Sequence, residues 1–350
     1  MINWVPKKTI NNNLVQMYLS KTEDSGQFTN YGPNVILLEK RIREKFNVEN
    51  EKAVIVVNNC SVAIHILAYA IEFKEKRKLK WATQSFTFPP SAQSNLQNSI
   101  ILDIDLDGGI NLEDVDNTID GIIVTNIFGN IVNIEKYEKW AKENNKILIF
   151  DNAATCYTYY KDKNCINYGT GCGISFHHTK PFGFGEGGAI IIDKLYEKEV
   201  RCLINFGIEL TDEYYVKEGT NGKMSDISAS YILQYWDTHF DIIVKKHNEL
   251  YKYLKDEITN RNITDFKLFP SFHDEGNNVA ACFAILFNNN KNKNIYSNLK
   301  LTERFACRKY YHPLKKLKNS EYIYEHILCV PCTIDMNFTD IDELLNILNS

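Results

Sequence analysis

Up to about residue 225 the chain alternates short apolar runs with amphipathic stretches. Residues 53–57, 79–83, 99–105, 121–128, 146–150 and 189–192 are short and rich in β-branched side chains. That pattern predicts strands buried on both faces. Between them, Val35, Leu37, Leu38, Ile42 and Phe46 recur at helical spacing, with Glu39, Lys40, Arg43 and Glu44 opposite, which predicts a helix. Residues 62–71 read as an apolar helix, 137–144 as an exposed amphipathic one, and 110–115 as a helix-like excursion. Strands separated by helices imply an α/β fold with a mostly parallel sheet covered on both faces. Residues 10–35 are polar and end in Gly, Asn and Pro, the chemistry of turns. Beyond residue 225 the rhythm changes to a long helical pattern over 227–254, then strands such as 280–287, with a polar Asn/Lys loop at 288–294. We therefore expect a large domain over 1–235 and a smaller α+β domain over 236–350.

Composition narrows the class. The 350 residues are 44% hydrophobic and 24% charged, with a net charge of −4. This is the profile of a soluble globular protein, without a basic field for nucleic acid. No run approaches the ~18–20 apolar residues that cross a bilayer. Nine cysteines, odd in number and scattered, imply free thiols in a reducing compartment, and so a cytoplasmic location. Cys329 and Cys332 have CxxC spacing but no second pair, and their apolar surroundings favour core packing over metal or redox chemistry.

One lysine stands out. Lys180 follows Ser175-Phe176-His177-His178-Thr179 and precedes a glycine-rich turn, among apolar or small residues where solubility does not explain it. It is the candidate to hold pyridoxal 5'-phosphate as a Schiff base. That cofactor needs few protein groups: a lysine, a carboxylate at the pyridine nitrogen, an apolar plate, and donors for its phosphate. Asp151, at the end of a predicted strand, supplies the carboxylate. Phe88, ahead of Pro89 and Pro90, supplies the plate. Ser61, where a strand meets a helix N-terminus, fits the phosphate, although for an isolated Ser a plain N-cap is the better reading. Ser175 fits the phosphate as well.

The ordered motifs resemble the DegT/DnrJ/StrS family of pyridoxal-phosphate sugar aminotransferases, over nearly the whole chain. Residues 26–33 (Gly-Gln-Phe-Thr-Asn-Tyr-Gly-Pro) are similar to that family's opening G-x-x-T-x-x-G-P. Residues 59–63 resemble its N-G-T-x-A turn, 85–88 its S-F-T-F/W segment, 126–129 its H-x-[FY]-G, and 150–154 its [ED]-D-A-A-[QH]. The most diagnostic resemblance is Ser175 to Lys180 followed by Gly185-Glu186-Gly187-Gly188, matching S-F-x-x-x-K and G-[DE]-G-G. Segments 205–207, 219–224 and 308–313 match later blocks.

The resemblance implies the aspartate-aminotransferase (fold type I) architecture and a homodimer with shared active sites. It implies that Lys180 is the Schiff-base lysine and proton shuttle, that Asp151 pairs with the pyridine nitrogen, and that Phe88 stacks on the ring. Ser61, the Val62 N–H and Ser175 would bind phosphate beside Cys60, which stands where the family has Gly. Asn221, with Lys223 as runner-up, would reach the phosphate of the neighbouring subunit. The family's Gln or His contact to the phenolic oxygen aligns with Ala154, so Thr155 or a water would replace it, and Asn126 stands where the family has His. Some relatives carry His in place of the lysine and are dehydratases; Lys180 favours transamination, and His177 and His178 read as local hydrogen-bonding or packing groups. The expected partners are L-glutamate and a nucleotide-linked keto sugar, with C4 of dTDP-4-keto-6-deoxyglucose favoured over C3 sugars. Asn30, Tyr31, Tyr310, Tyr311 and His312 are candidate contacts to the sugar or nucleotide, or simply packing groups. A non-catalytic cofactor-binding homologue is the rival class, supported only by Ala154. A nucleotide-binding protein would need a glycine pattern the chain lacks.

Overall fold

The structure is a computed structural model and describes residues 1–270, 277–288 and 295–349. The loop read at 288–294 lies outside the described residues except at Asn288. In chain order come α1 (Asn12–Ser25), α2 (Pro33–Lys45), β1 (Lys52–Val57), α3 (Cys60–Glu75), β2 (Trp81–Gln84), β3 (Ile100–Leu102), β4 (Gly121–Thr125), α4 (Ile134–Glu143) and β5 (Ile147–Asn152). A small ribbon, β6 (Tyr159–Tyr160) with β7 (Lys163–Asn164), leads to β8 (Gly171–Ser175), β9 (Gly188–Asp193) and α5 (Glu197–Leu203). Then follow α6 (Asp226–Asn260), β10 (Phe266–Leu268), β11 (Cys282–Phe287), α7 (Leu299–Arg304), α8 (Lys318–His326), β12 (Ile327–Pro331) and α9 (Phe338–Asn349).

Seven strands form one sheet in the order β1-β9-β8-β5-β4-β2-β3. All are parallel except β9, which runs against both of its neighbours. Alternation along β1 explains the two covered faces. Val54 and Val56 join a core with Leu38, Phe46 and Trp236, while Ile55 and Val57 join one with Ile64, Leu67 and Leu203. The expected sheet with helices on both sides is therefore present. The small antiparallel sheet β10-β11-β12 packs with α6 and α9 around Leu250, Leu254, Phe283 and Leu344. The boundary expected near residue 235 falls within α6, one helix of 35 residues that enters both cores. No helix among the described residues is long and apolar enough to cross a membrane.

Two local expectations differ from the structure. Residues 12–25, read only as polar, form α1, which buries just Val15, Tyr18 and Thr22. Three contacts on a polar helix leave too thin a stripe for periodicity to detect. The excursion at 110–115 contains only the short 3-10 turn Leu112–Asp114, because Asn111 accepts the Glu113 N–H and closes the backbone locally.

The Gly-Pro turn at 32–33 is fastened by a residue far along the chain. The Asp226 carboxylate, at the start of α6, accepts the N–H groups of Asn34 and Val35, each at 2.8 Å, in the first turn of α2. It also accepts the Asn34 side chain at 2.9 Å and the Thr22 hydroxyl. A buried negative charge at a helix N-terminus satisfies orphan donors and complements the helix dipole. Gly32 is required here, since a Cβ would lie 2.5 Å from Asp226 Cγ. We expect Asp226→Ala to lower stability by about 3 kcal/mol, because it strands several buried donors at once. Urea unfolding midpoints of wild type and variant measure it, and a change under about 0.5 kcal/mol would contradict this role.

Candidate active site

The parallel strands all end on one side of the sheet, where ligands of open α/β sheets bind. A cavity of about 1110 Å³ opens there. Its walls bring together Cys60, Ser61, Phe88, Asp151, Ser175 and Lys180, from the ends of β1, β2, β5 and β8 or the turns that follow them. Ala153 and Ala154 complete one wall, and Tyr310 and Tyr311 close it from the small domain.

Lys180 is carried by the connection between β8 and β9. That connection is cross-braced by Phe176 N–H to Gly187 O at 2.8 Å, His178 N–H to Gly185 O at 2.7 Å and Phe184 N–H to Phe176 O at 3.1 Å. Gly183 crosses so close to the Phe176–His177 backbone that a Cβ would meet the His177 oxygen at 1.9 Å. Gly185 has a φ of 68°, where an L side chain is strained. The glycine-rich motif is thus what folds this turn back on itself. Burial pushes the Lys180 ammonium below its ordinary value, against the opposing pull of Asp151 and the nearby thiols. Asp151 is 3% exposed and accepts one N–H, from Ala153 at 3.0 Å. Burial raises its pKa, while that hydrogen bond and the Lys180 charge work against the rise.

At the N-terminus of α3 the cap is Asn59, whose side chain accepts the Val62 N–H at 3.0 Å. Ser61 is therefore not the cap, and its hydroxyl makes no hydrogen bond among the described residues. The Val62 N–H is already committed to Asn59, and its side chain faces Gly222 rather than the cavity. β9 passes close beneath this turn: a Cβ on Gly188 would lie 2.7 Å from the Asn59 carbonyl carbon. Ser175 is buried, and its Oγ accepts the His177 N–H at 3.2 Å. Phe88 is exposed to the cavity, its ring edge-on to Tyr311 at 6.4 Å.

Of the remaining candidates only His177 lines the cavity; the others lie elsewhere in this chain. Thr155 is fully buried, donating to Asn126 O at 2.7 Å and accepting the Gly129 N–H at 3.1 Å, and does not line the cavity. Asn30 is exposed, and Tyr31 lies with the Arg201 guanidinium 5.5 Å from its ring centre, both outside the cavity. Asn221 is exposed, and the Lys223 ammonium donates to Asn205 Oδ1 at 2.7 Å. His312 packs edge-on against Tyr324 rather than into the cavity. His177 accepts the Thr179 N–H at 3.2 Å, and His178 packs on Phe184. Cys329 and Cys332 are buried as free thiols.

Sequence reasoning missed the arm of residues 1–5. Met1, Asn3, Trp4 and Val5 line the cavity, held there by Ile2, which pairs with Arg304 and Ala306, and by Trp4 against Tyr310 at 5.7 Å. The lone Trp4 in a polar stretch was its only signal. Thr125, hydrogen-bonded to Thr87 at 2.6 Å, also lines the wall and was not foreseen.

The chain matches the model of the DegT/DnrJ/EryC1/StrS aminotransferase family over residues 9–349. It belongs to that family and is a pyridoxal-phosphate-dependent sugar aminotransferase. It is 26% identical to the dTDP-4-amino-4,6-dideoxy-D-glucose transaminase of Shigella dysenteriae, covering 91% of this chain and 90% of that protein. It is also 26% identical to the UDP-4-amino-4,6-dideoxy-N-acetyl-beta-L-altrosamine transaminase of Campylobacter jejuni, covering 81% of each. The fold is that of a putative PLP-dependent aminotransferase from Bacillus cereus, with a TM-score of 0.83, 21% identity and full coverage of both chains. The expected fold type I architecture is thus observed.

A lysine reacts with an aldehyde as the neutral amine, so a lowered pKa extends its reactivity toward acid. In cofactor-free protein, the rate at which Lys180 captures the cofactor should rise through a midpoint below 10.5. In Asp151→Asn that midpoint should move lower still, because the carboxylate favours the ammonium. Capture rates followed against pH measure both, and a midpoint at or above the ordinary lysine value would contradict the burial argument.

Proposed function

We propose that this member of the family moves an amino group from L-glutamate to C4 of dTDP-4-keto-6-deoxyglucose, giving dTDP-4-amino-4,6-dideoxyglucose. The observation that carries the transaminase reading is the convergence of Lys180, Asp151 and the α3 N-terminus on one cavity. The likeness to the Shigella transaminase over nearly the full length of both chains supports the sugar. The Campylobacter relative supports a second reading, with the same C4 chemistry on a UDP-linked sugar. A C3 keto sugar remains the regiochemical rival.

The residues present fit the cofactor. Among the described residues, Ser61 Oγ is unengaged at a helix N-terminus, and the buried Asp151 carboxylate has only one protein donor. Pyridoxal phosphate, when bound, supplies an aldehyde to the amine and an electron sink for the bond broken at the donor α-carbon. Asp151 would keep a proton on the pyridine nitrogen, and Phe88 would cover one ring face. Ser61, Ser175 and the N–H groups of Cys60 and Ser61 would hold the phosphate. The Val62 N–H would join them only by leaving Asn59. Lys180 would accept the α-carbon proton of the donor and later return one to the sugar carbon, as a lysine of lowered pKa is suited to do.

Tyr310 and Tyr311 are the proposed sugar contacts of this chain, with His312 outside the wall. Asn221, Asn30 and Tyr31 lie outside this chain's own cavity, so they would contribute across a homodimer interface. With Ala154 small and the Thr155 hydroxyl committed, a water is the remaining candidate for the phenolic oxygen.

Purified enzyme given L-glutamate with 4-keto or 3-keto dTDP sugars, and products identified by NMR, tests the substrate. The 4-amino product is expected; turnover of only the 3-keto sugar would replace the proposal. For the shared site, Asn221→Ala should weaken cofactor binding about tenfold. Titration of cofactor into apo protein reads that change, and unaltered affinity would remove Asn221 from the phosphate site.

A further inference from the structure

The turn that delivers Lys180 needs its own backbone held, and one holding group lies 172 positions away. Lys8 Nζ donates to the carbonyl oxygen of Lys180 at 2.7 Å and to that of Gly183. It stands 4.8 Å from the centre of the Tyr235 ring. Between these carbonyls, Phe182 O accepts the Trp236 indole N–H at 2.8 Å. The carbonyls of Lys180, Phe182 and Gly183 are thus each held by a side chain from another element, and that of Lys180 also accepts the Gly183 N–H at 3.0 Å within the turn. Among the described residues Lys8 has no carboxylate partner; the titratable groups facing it are His178, His247 and Tyr235. Charge pairing therefore does not explain a lysine at this place.

We propose that Lys8 is a positioning residue: by gripping the Lys180 and Gly183 carbonyls it fixes the direction in which the Lys180 side chain leaves its turn, and it fastens the arm of residues 1–5 as a wall of the cavity. This rests on the reading of Lys180 as the cofactor-bearing amine. The two carbonyls also offset the cost of burying the Lys8 charge, although burial still pulls its pKa down to about 7. The grip has consequences for rate more than for substrate affinity. Lys180 must meet the donor α-carbon in line, and small misplacements of a reacting group lower the rate steeply.

Lys8→Met and Lys8→Arg test this with two readouts. The first is amide exchange over residues 176–187 in cofactor-free protein. The second is kcat and KM of the loaded enzyme. Lys8→Met should speed exchange over 176–187 about tenfold. It should lower kcat roughly 10- to 100-fold while KM stays within about twofold. Lys8→Arg, which keeps donors for both carbonyls, should bring both readouts back to within about threefold of wild type. If the methionine variant does not fold, Lys8→Gln, a shorter neutral donor, is read in its place. Unchanged exchange over 176–187, or a loss confined to KM, would overturn the proposal. If wild-type protein carried no cofactor on Lys180, the reading of the site would fail instead, while exchange in the cofactor-free protein would still report the grip of Lys8.

Discussion

An amine and a carboxylate withdrawn from water beside one cavity are the constraint on which the rest depends. Burial works against both charges, lowering the pKa of Lys180 and raising that of Asp151, and each charge partly offsets the cost to the other. Neither arrangement survives in a loose site, because solvent would restore ordinary behaviour. The parallel strands provide rigidity by ending together at one edge, with Asp151 in register with Thr125 on β4 and Gly173 on β8. The β8–β9 connection provides the lysine, and its glycines permit backbone approaches that no other residue allows.

Around this pair the chain is layered by distance in sequence. Residues next to Lys180 brace its turn by backbone hydrogen bonds. Trp236 and Lys8, far away, take carbonyls of the turn: Trp236 that of Phe182, and Lys8 that of Gly183 and that of Lys180, which also accepts the Gly183 N–H. Asp226, at the head of the same helix as Trp236, fastens α2 and so seats Phe46 against Phe176 and Phe182 behind the turn. The long helix α6 therefore links the entry of the fold, the reactive turn and the small domain.

Much of this was legible in the sequence. Strands buried on both faces announce themselves by β-branched runs, and Asp151 and Ser61 sit just beyond two of them, whereas the glycine-interrupted β8 gave no such run and Ser175 and Lys180 stood out only by their motif. What periodicity could not reach was of two kinds. α1 buries too little to show a stripe. Lys8, Trp236 and the Trp4 arm act through tertiary hydrogen bonds and wall contacts, for which no local spacing is diagnostic. Val62 and Thr155 illustrate the opposite limit: both stand at the positions where motif spacing expects a cofactor contact, yet their donors are already engaged by Asn59 and Asn126.

The central claim is that the buried amine of Lys180 carries the cofactor, and covalent capture tests it most directly. Holoenzyme reduced with borohydride and digested should yield the cofactor fixed to one peptide, the one containing Lys180. A label on another lysine, or a protein that takes up cofactor and releases all of it after reduction, would contradict the account.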